Sequence, residues 1–262
     1  MTIATTGIWH RETNAMLLIA AALPMALAWL WFGGLDAAGR LVLVLIVAGI
    51  WHLAFMLARA QAPSFAGALT ALFVAMLAPD VGPLQMILGI SFGVVMAELV
   101  FGGWGRNVLN PATVTLAFLG FGFPAAPWPD LALPVTWAAL PAAAMGIAFG
   151  VMSWRLLAGA GLVALASWLV FGPLPAGTWV AALVLTALVA EPVTSAATSL
   201  GRWLNGALYA VLALIFLCWW QGVAPVQAAV SAALLASLAA PLLDEIALTI
   251  WHARRRKRLG DA

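Results

Sequence analysis

Charge is what this sequence has least of. It carries 11 basic and 9 acidic residues among 262, or 8%, against roughly 25% in a soluble domain. A water-soluble globule cannot cover its surface with so few charges, so that class is excluded. Intrinsic disorder is excluded too, because hydrophobic residues make up 65% of the chain. Cysteine is almost missing: Cys218 stands alone, which rules out a disulfide scaffold and any Cys-x-x-Cys motif. No P-loop or dinucleotide fingerprint occurs, so the chain carries no recognisable NADH site of its own. His52 and His252 lack metal-ligand spacing, and no bound metal is expected. The small net charge of +2 gives no reason to expect a nucleic-acid partner, since the basic residues have first to be placed against a lipid bilayer.

Long apolar runs fill the space these absences leave. They fall at about 15–33, 41–58, 64–79, 83–100, 111–123, 132–150, 154–171, 177–190, 203–220 and 225–243. The expected fold is therefore an all-α polytopic membrane protein, a single membrane domain over 1–262 with about ten transmembrane helices. A cleavable signal peptide is not expected, because no small-residue cleavage motif closes the first run before the second begins. Charge placement checks the count. With ten spans, Arg11, Arg59, Arg106, Arg155, Arg202 and the cluster Arg254–Arg258 fall on one side. Only Arg40 falls on the other, with Asp36, Asp80 and Asp130. Ten of eleven basic residues on one face predicts that both termini are cytoplasmic. The basic tail over 251–262 reads first as a stop-transfer anchor, although such a run also suits anionic lipid or a partner.

Ala78-Pro79-Asp80-Val81 and Ala190-Glu191-Pro192-Val193 each follow a similar apolar run. Five spans plus five spans would set two halves, about 15–123 and 132–250, in opposite orientations. Such inverted repeats build sites from interrupted helices. Two segments concentrate the residues that interrupt helices. The first is Phe101-Gly102-Gly103-Trp104-Gly105-Arg106-Asn107-Val108-Leu109-Asn110-Pro111, with Asn110 as a helix cap and Pro111 at the first helical position. The second is Glu191-Pro192-Val193-Thr194-Ser195-Ala196-Ala197-Thr198-Ser199, then Gly201-Arg202-Trp203. Both fall on the cytoplasmic side of the ten-span arrangement.

Asn107 and Asn110 offer paired donors and acceptors, Ser195 and Thr198 offer hydroxyls, and Glu191 accepts when ionised. Gly103 and Gly105 open the backbone, while Trp104 and Trp203 add flat apolar surface. A flavin needs this mixture of planar stacking and matched polar edge. A small neutral solute or a cation could use the same oxygens, and the residues could equally serve to cap helices and satisfy broken backbone. Asn110-Pro111-Ala112 resembles the aquaporin half-helix motif, but no second copy occurs and that reading is rejected. Glu98, near the end of the fourth run, is the ion-pathway candidate, since an acid within a span is functional by default unless it reaches the interface.

Gly89-Ile90-Ser91-Phe92-Gly93-Val94-Val95 with the 101–112 segment resembles the signature of the NqrB/RnfD family. Its members are the NqrB component of the sodium-pumping NADH:quinone oxidoreductase and the RnfD component of the Rnf electron-transport complex. Glu191–Thr198 followed by Gly201-Arg202 resembles its second signature, and Ala240-Pro241-Leu242-Leu243-Asp244 its ending of the last span. The resemblance covers about residues 64 to 250. It implies ten helices in two inverted five-helix repeats, and a non-covalent flavin near the cytoplasmic side, riboflavin first with FMN as the alternative. It implies flavin contacts at Asn107, Asn110 and Glu191, and partners among the membrane and soluble subunits of an electron-transport complex of the bacterial inner membrane, often moving Na+ or H+. Three departures go with it. The loop Pro124–Leu131 lacks the Ser/Ala-Gly-Ala-Thr sequence that carries covalent FMN in relatives, so covalent FMN is expected to be absent. Glu191 stands where Asp is usual, and Glu98 where Lys is frequent. The chain is also shorter than typical relatives, which suggests a trimmed variant. The competing expectation is a channel or transporter that kept the scaffold and lost redox chemistry.

Overall fold

A computed structural model describes residues 11–59 and 64–260, with side chains for all of these except 11 and 256–260. Arg11 and the Arg256, Lys257 and Arg258 members of the expected basic groups therefore have side chains outside the described residues. Among the described residues all regular structure is helical. The elements are α1 (Arg11–Arg59), α2 (Ala66–Leu77), α3 (Pro83–Val94), α4 (Pro111–Gly122), α5 (Leu133–Trp137), α6 (Ala139–Ala148), α7 (Trp154–Phe171), α8 (Thr178–Val184), α9 (Ser199–Trp219) and α10 (Pro225–Gly260). Single π-helical turns, Val95–Leu99 and Leu185–Val189, extend α3 and α8.

Each expected apolar run lies on a helix, and the departures have local causes. A loop was expected between the first two runs, around 34–40. Instead α1 is broken at one residue, Gly34, whose φ of 58° and ψ of −142° only glycine adopts readily. Asp36 and Arg40 are thereby drawn into helix. The last run was expected to end near 243, but α10 passes through Pro241 and carries the basic tail onward as helix. The ninth run begins earlier than expected, at Ser199, because Thr198 caps it by accepting from the Gly201 amide.

Among the described residues, four helices are long and apolar enough to cross a bilayer: Glu12–Arg59, Trp154–Phe171, Ser199–Trp219 and Pro225–Arg255. Shorter elements fill the interior between them. α2 has 12 residues and 11 of them are buried. At about 1.5 Å per residue it is roughly 18 Å long, against about 30 Å of hydrocarbon. α8 with its π turn, Thr178–Val189, is a second short and largely buried rod. Helices of this length leave their ends inside the protein, where the end groups must be satisfied by other side chains. Arg40 does this for α2, donating from one guanidinium nitrogen to the carbonyls of Ala78 and Pro79, the latter at 2.7 Å. α1 packs on α2, α3 and α6, α3 on α4, and α9 on α7 and α10, while α10 also reaches α4 and α8 and so ties the two halves together.

The α7–α9 seam brings backbone against backbone. A side chain at Gly206 would run into the Leu156 carbonyl, and one at Gly159 into the Trp203 carbonyl. Within a membrane, such small-residue contacts replace the hydrophobic effect as the source of helix association.

Candidate functional site

The two interrupted segments meet in the interior. Asn110 precedes α4, and its Oδ1 accepts from the amides of Ala112 at 2.8 Å and Thr113 at 3.3 Å, which caps the helix. The same side chain donates from Nδ2 to Glu191 Oε2 at 2.7 Å. Glu191 follows the π turn of α8 by two residues, and only 4% of it is exposed. One asparagine thus closes a helix end and clasps the other segment's acid.

Asn107 is buried as well, but its amide works within its own loop. Its Oδ1 accepts from the Gly105 amide at 3.0 Å and its Nδ2 donates to the Leu109 carbonyl at 3.1 Å. The loop can fold this tightly because Gly102, Gly103 and Gly105 take positive φ values of 102°, 89° and 93°. Gly103 also donates its amide to the Glu98 carbonyl at 3.0 Å, so the loop is fastened to the end of α3. Trp104 is buried and its indole, with Asn107 and Asn110, faces the Glu191 carboxylate. Glu98, fully buried in the π turn of α3, lies near enough for its charge to act on Glu191.

The remaining sequence candidates separate into two groups. Ser195 stays with the cluster's segment, and its Oγ is buried without a hydrogen-bond partner. Thr198 and Trp203 are engaged elsewhere. Thr198 caps α9 and donates its hydroxyl to Asp244 Oδ1 at 2.6 Å. Trp203 meets Trp154 edge to face, with centroids 5.5 Å apart. Three residues outside the expected set matter here. Thr194 is buried with its Oγ1 unpartnered. Asp244, on α10, receives the amides of Ala197 and Thr198, both at 2.8 Å, and so anchors the second segment. His52 bonds Glu98 at 3.2 Å. The hydroxyl-rich run around Thr194 was visible in the sequence, and a lone histidine in a span is itself a signal. Nothing in the spacing pointed to partners 46 or 47 residues away.

Unsatisfied groups define what the cluster lacks. Glu98 Oε2, Glu191 Oε1, Thr194 Oγ1 and Ser195 Oγ are buried with no hydrogen-bond partner. Buried polar groups are nearly always paired, so such a concentration marks a place built for something else to bind or for protons to move.

The opposite face of the protein is arranged separately. Asp36, Arg40, Asp80 and Pro129 surround a cavity of about 430 Å³, and Asp80 donates its amide to the Pro127 carbonyl at 2.7 Å. At the cluster's end, Arg59 donates to the Val100 carbonyl at 3.3 Å and Arg202 to the Ala196 carbonyl at 3.1 Å. Acidic connections gather at one end and basic ones at the other.

Helices long enough to span, with short buried rods between them, fit a polytopic α-helical membrane protein, and a buried polar cluster lies where two of its helices are interrupted. A profile of the NQR2, RnfD, RnfE family matches residues 9–157, and the chain belongs to that family. It is 29% identical to NqrB of the Na(+)-translocating NADH-quinone reductase of Yersinia pestis, across 97% of this chain and 76% of that one. It is 32% identical to the protein of the same name from Klebsiella pneumoniae, across 83% and 68%. The Pseudomonas paraeruginosa protein of that name is 29% identical across 82% and 68%.

Proposed function

We propose that this chain is a flavin-binding component of an Nqr- or Rnf-like electron-transport complex in the bacterial cytoplasmic membrane. Membership of the family and the names of its relatives support the electron-transport setting. The observation that carries the flavin assignment is the Asn110–Glu191 clasp with three unpartnered buried polar atoms, on Glu191, Thr194 and Ser195, beside it.

A flavin's polar edge is an N–H donor between two carbonyl acceptors. Glu191 Oε1 matches the donor, and the hydroxyls of Thr194 and Ser195 match the acceptors. Asn107 retains one amide hydrogen and one lone pair, and Asn110 one amide hydrogen, beyond the bonds they already make. Both asparagines therefore remain able to reach a ligand while fixing its surroundings. Trp104 supplies aromatic surface from the first segment, with Trp203 further along α9. The donor set thus fits the group. A bound flavin supplies one- and two-electron chemistry, and the protein's share is to hold it, shield it from water and set the charge around it. Riboflavin is the preferred ligand and FMN the alternative, in either case without a covalent bond.

The ordering of charge between the two ends supports cytoplasmic termini. The pair of short buried rods, one in each half, supports two inverted five-helix repeats. Coupling to Na+ or H+ movement belongs to the same reading.

Purified protein in detergent should be yellow, with one flavin released by acid, and mass measurement of the released compound separates riboflavin from FMN. Asn107→Ala should lose that flavin while keeping the helical content, at a cost of about 1–3 kcal/mol because the Gly105 amide and the Leu109 carbonyl lose their side-chain partners. A colourless but folded preparation overturns the electron-carrier reading in favour of a channel or transporter, which solute flux in liposomes without an electron donor would then reveal.

A further inference from the structure

The last helix is longer than the bilayer it crosses. The part of α10 from Pro225 to Arg255 has 31 residues, roughly 46 Å at 1.5 Å per residue, against about 30 Å of hydrocarbon. Its neighbour α9 has 21 residues, roughly 32 Å, which fills that thickness alone. Asp244 accepts from the hydroxyl of Thr198, the residue before α9, at 2.6 Å. The turns of α10 beyond Asp244 therefore overhang the start of α9, at the level of the lipid headgroups. They do not turn polar at once, because Leu248 and Trp251 are exposed there.

A cavity of about 390 Å³ opens between this overhang and the start of α9. Ala247, Leu248, Trp251 and Arg254 share one face of α10 and form one wall, with Ser199 and Leu200 of α9 opposite. Outward from the bilayer, the α10 wall passes from aliphatic side chains to an indole to a guanidinium. A phospholipid has the same order: acyl chain, glycerol backbone, phosphate. Tryptophan is the residue that favours the middle level. Arg255 holds the Trp251 ring, its Cζ lying 5.2 Å from the ring centroid.

We propose that this groove seats one anionic phospholipid, with its phosphate on Arg254 and the upper part of its chains against Leu248 and Leu200. Charge selects the headgroup. Arg254 opens a run of five basic residues, Arg254-Arg255-Arg256-Lys257-Arg258, and such clusters beside a span attract anionic lipid. The nearby acids do not cancel it. Asp244 is engaged by the Ala197 and Thr198 amides and the Thr198 hydroxyl, and Glu245 lies outside the cavity wall. Among the described residues no carboxylate pairs with Arg254. A guanidinium offers a phosphate two parallel donors, which a diffuse surface charge does not.

This inference stands without any bound flavin. Native mass spectrometry of the full chain, given phosphatidylglycerol and phosphatidylcholine of equal chain length in detergent, counts the lipids that stay bound. Wild type should retain one phosphatidylglycerol in preference to phosphatidylcholine. Arg254→Gln should weaken that retention about five-fold or more and leave phosphatidylcholine unaffected, while Leu248→Asn should weaken both. Leu248 and Arg254 are exposed, so both variants should keep the wild-type circular dichroism. Arg155, also near the basic end but beside Trp154 and away from the groove, provides the control, and Arg155→Gln should change nothing. Undiminished phosphatidylglycerol in Arg254→Gln overturns the site. An equal loss in Arg155→Gln reduces it to general surface charge and overturns it as well. Displacement of the lipid by excess inorganic phosphate would mean that the groove takes free phosphate, which overturns the lipid assignment. A wild-type protein that retains no lipid overturns it too, leaving the groove for a protein segment.

Discussion

Asn110 donates to Glu191 across 81 residues of sequence, at 2.7 Å, while its carbonyl oxygen caps α4. Two separate functions rest on one carboxamide, and substitutions can divide them. Asn110→Ala removes both. Loss of an N-cap costs about 1 kcal/mol, and a buried acceptor left without its donor about 1–3 kcal/mol more. Asn110→Asp keeps the cap but turns an oxygen toward the Glu191 carboxylate. Both variants should unfold at lower denaturant than wild type, and Asn110→Asp should be rescued in part by Glu191→Gln. Absence of that rescue would mean the clasp contributes nothing.

Asp244 holds the second segment from a distance of 46 residues, taking the Thr198 amide and hydroxyl and, with its other oxygen, the Ala197 amide. Asp244→Ala strands all three donors at the start of α9. The expected loss is about 2–4 kcal/mol, taking roughly 1–1.5 kcal/mol per bond with partial replacement by water. Asp244→Asn, which retains one acceptor oxygen, should fall between. Limited proteolysis offers a local readout, because cutting between 191 and 199 should increase in Asp244→Ala before the rest of the protein is affected.

Much of this architecture was legible because lipid imposes simple constraints. Apolar runs had to be helices, so the runs at 154–171 and 111–123 coincide with α7 and α4 nearly to the residue. The two interrupted segments were legible through Gly102-Gly103, Asn110-Pro111 and Glu191-Pro192, whose backbone preferences are local. What the sequence hid is pairing over long separations. Thr198 looked like a ligand-facing hydroxyl because its partner, Asp244, lies on another helix. His52 looked isolated for the same reason. Gly34 was read as part of a loop, since composition does not show that one residue can carry the whole break in α1.

Two glycines on α7, two positions apart, make opposite predictions. Gly159 faces α9, and a methyl group there would press on the Trp203 backbone, which cannot rotate away as a side chain can. Gly161 has open space around its missing side chain. Replacing an unhindered helical glycine by alanine stabilises by up to about 1 kcal/mol. Gly161→Ala should therefore raise the melting temperature in detergent and Gly159→Ala should lower it. Equal effects of the two substitutions would show that α7 and α9 are not in this register.

Sidedness has a direct chemical test, because Cys218 is the single cysteine and Cys218→Ser gives a clean background. The acidic connections surround the cavity of about 430 Å³ at one end, while Arg59, Arg202 and the polar cluster share the other. Positive residues are retained on the cytoplasmic side during insertion. A cysteine placed at Asp130 should then react with a membrane-impermeant maleimide in intact spheroplasts, and one placed at Arg254 should react only after the membrane is opened. Asp36→Cys should follow Asp130→Cys despite its place within α1, since Asp36 shares one cavity with Asp80 and Pro129. Labelling of Arg254→Cys from outside would invert the protein, and with it the assignment of the Asn110–Glu191 cluster to the cytoplasmic half of the membrane. Labelling of Asp36→Cys and Asp130→Cys from opposite sides would instead remove an odd number of spans between them, which the ten-span arrangement cannot absorb.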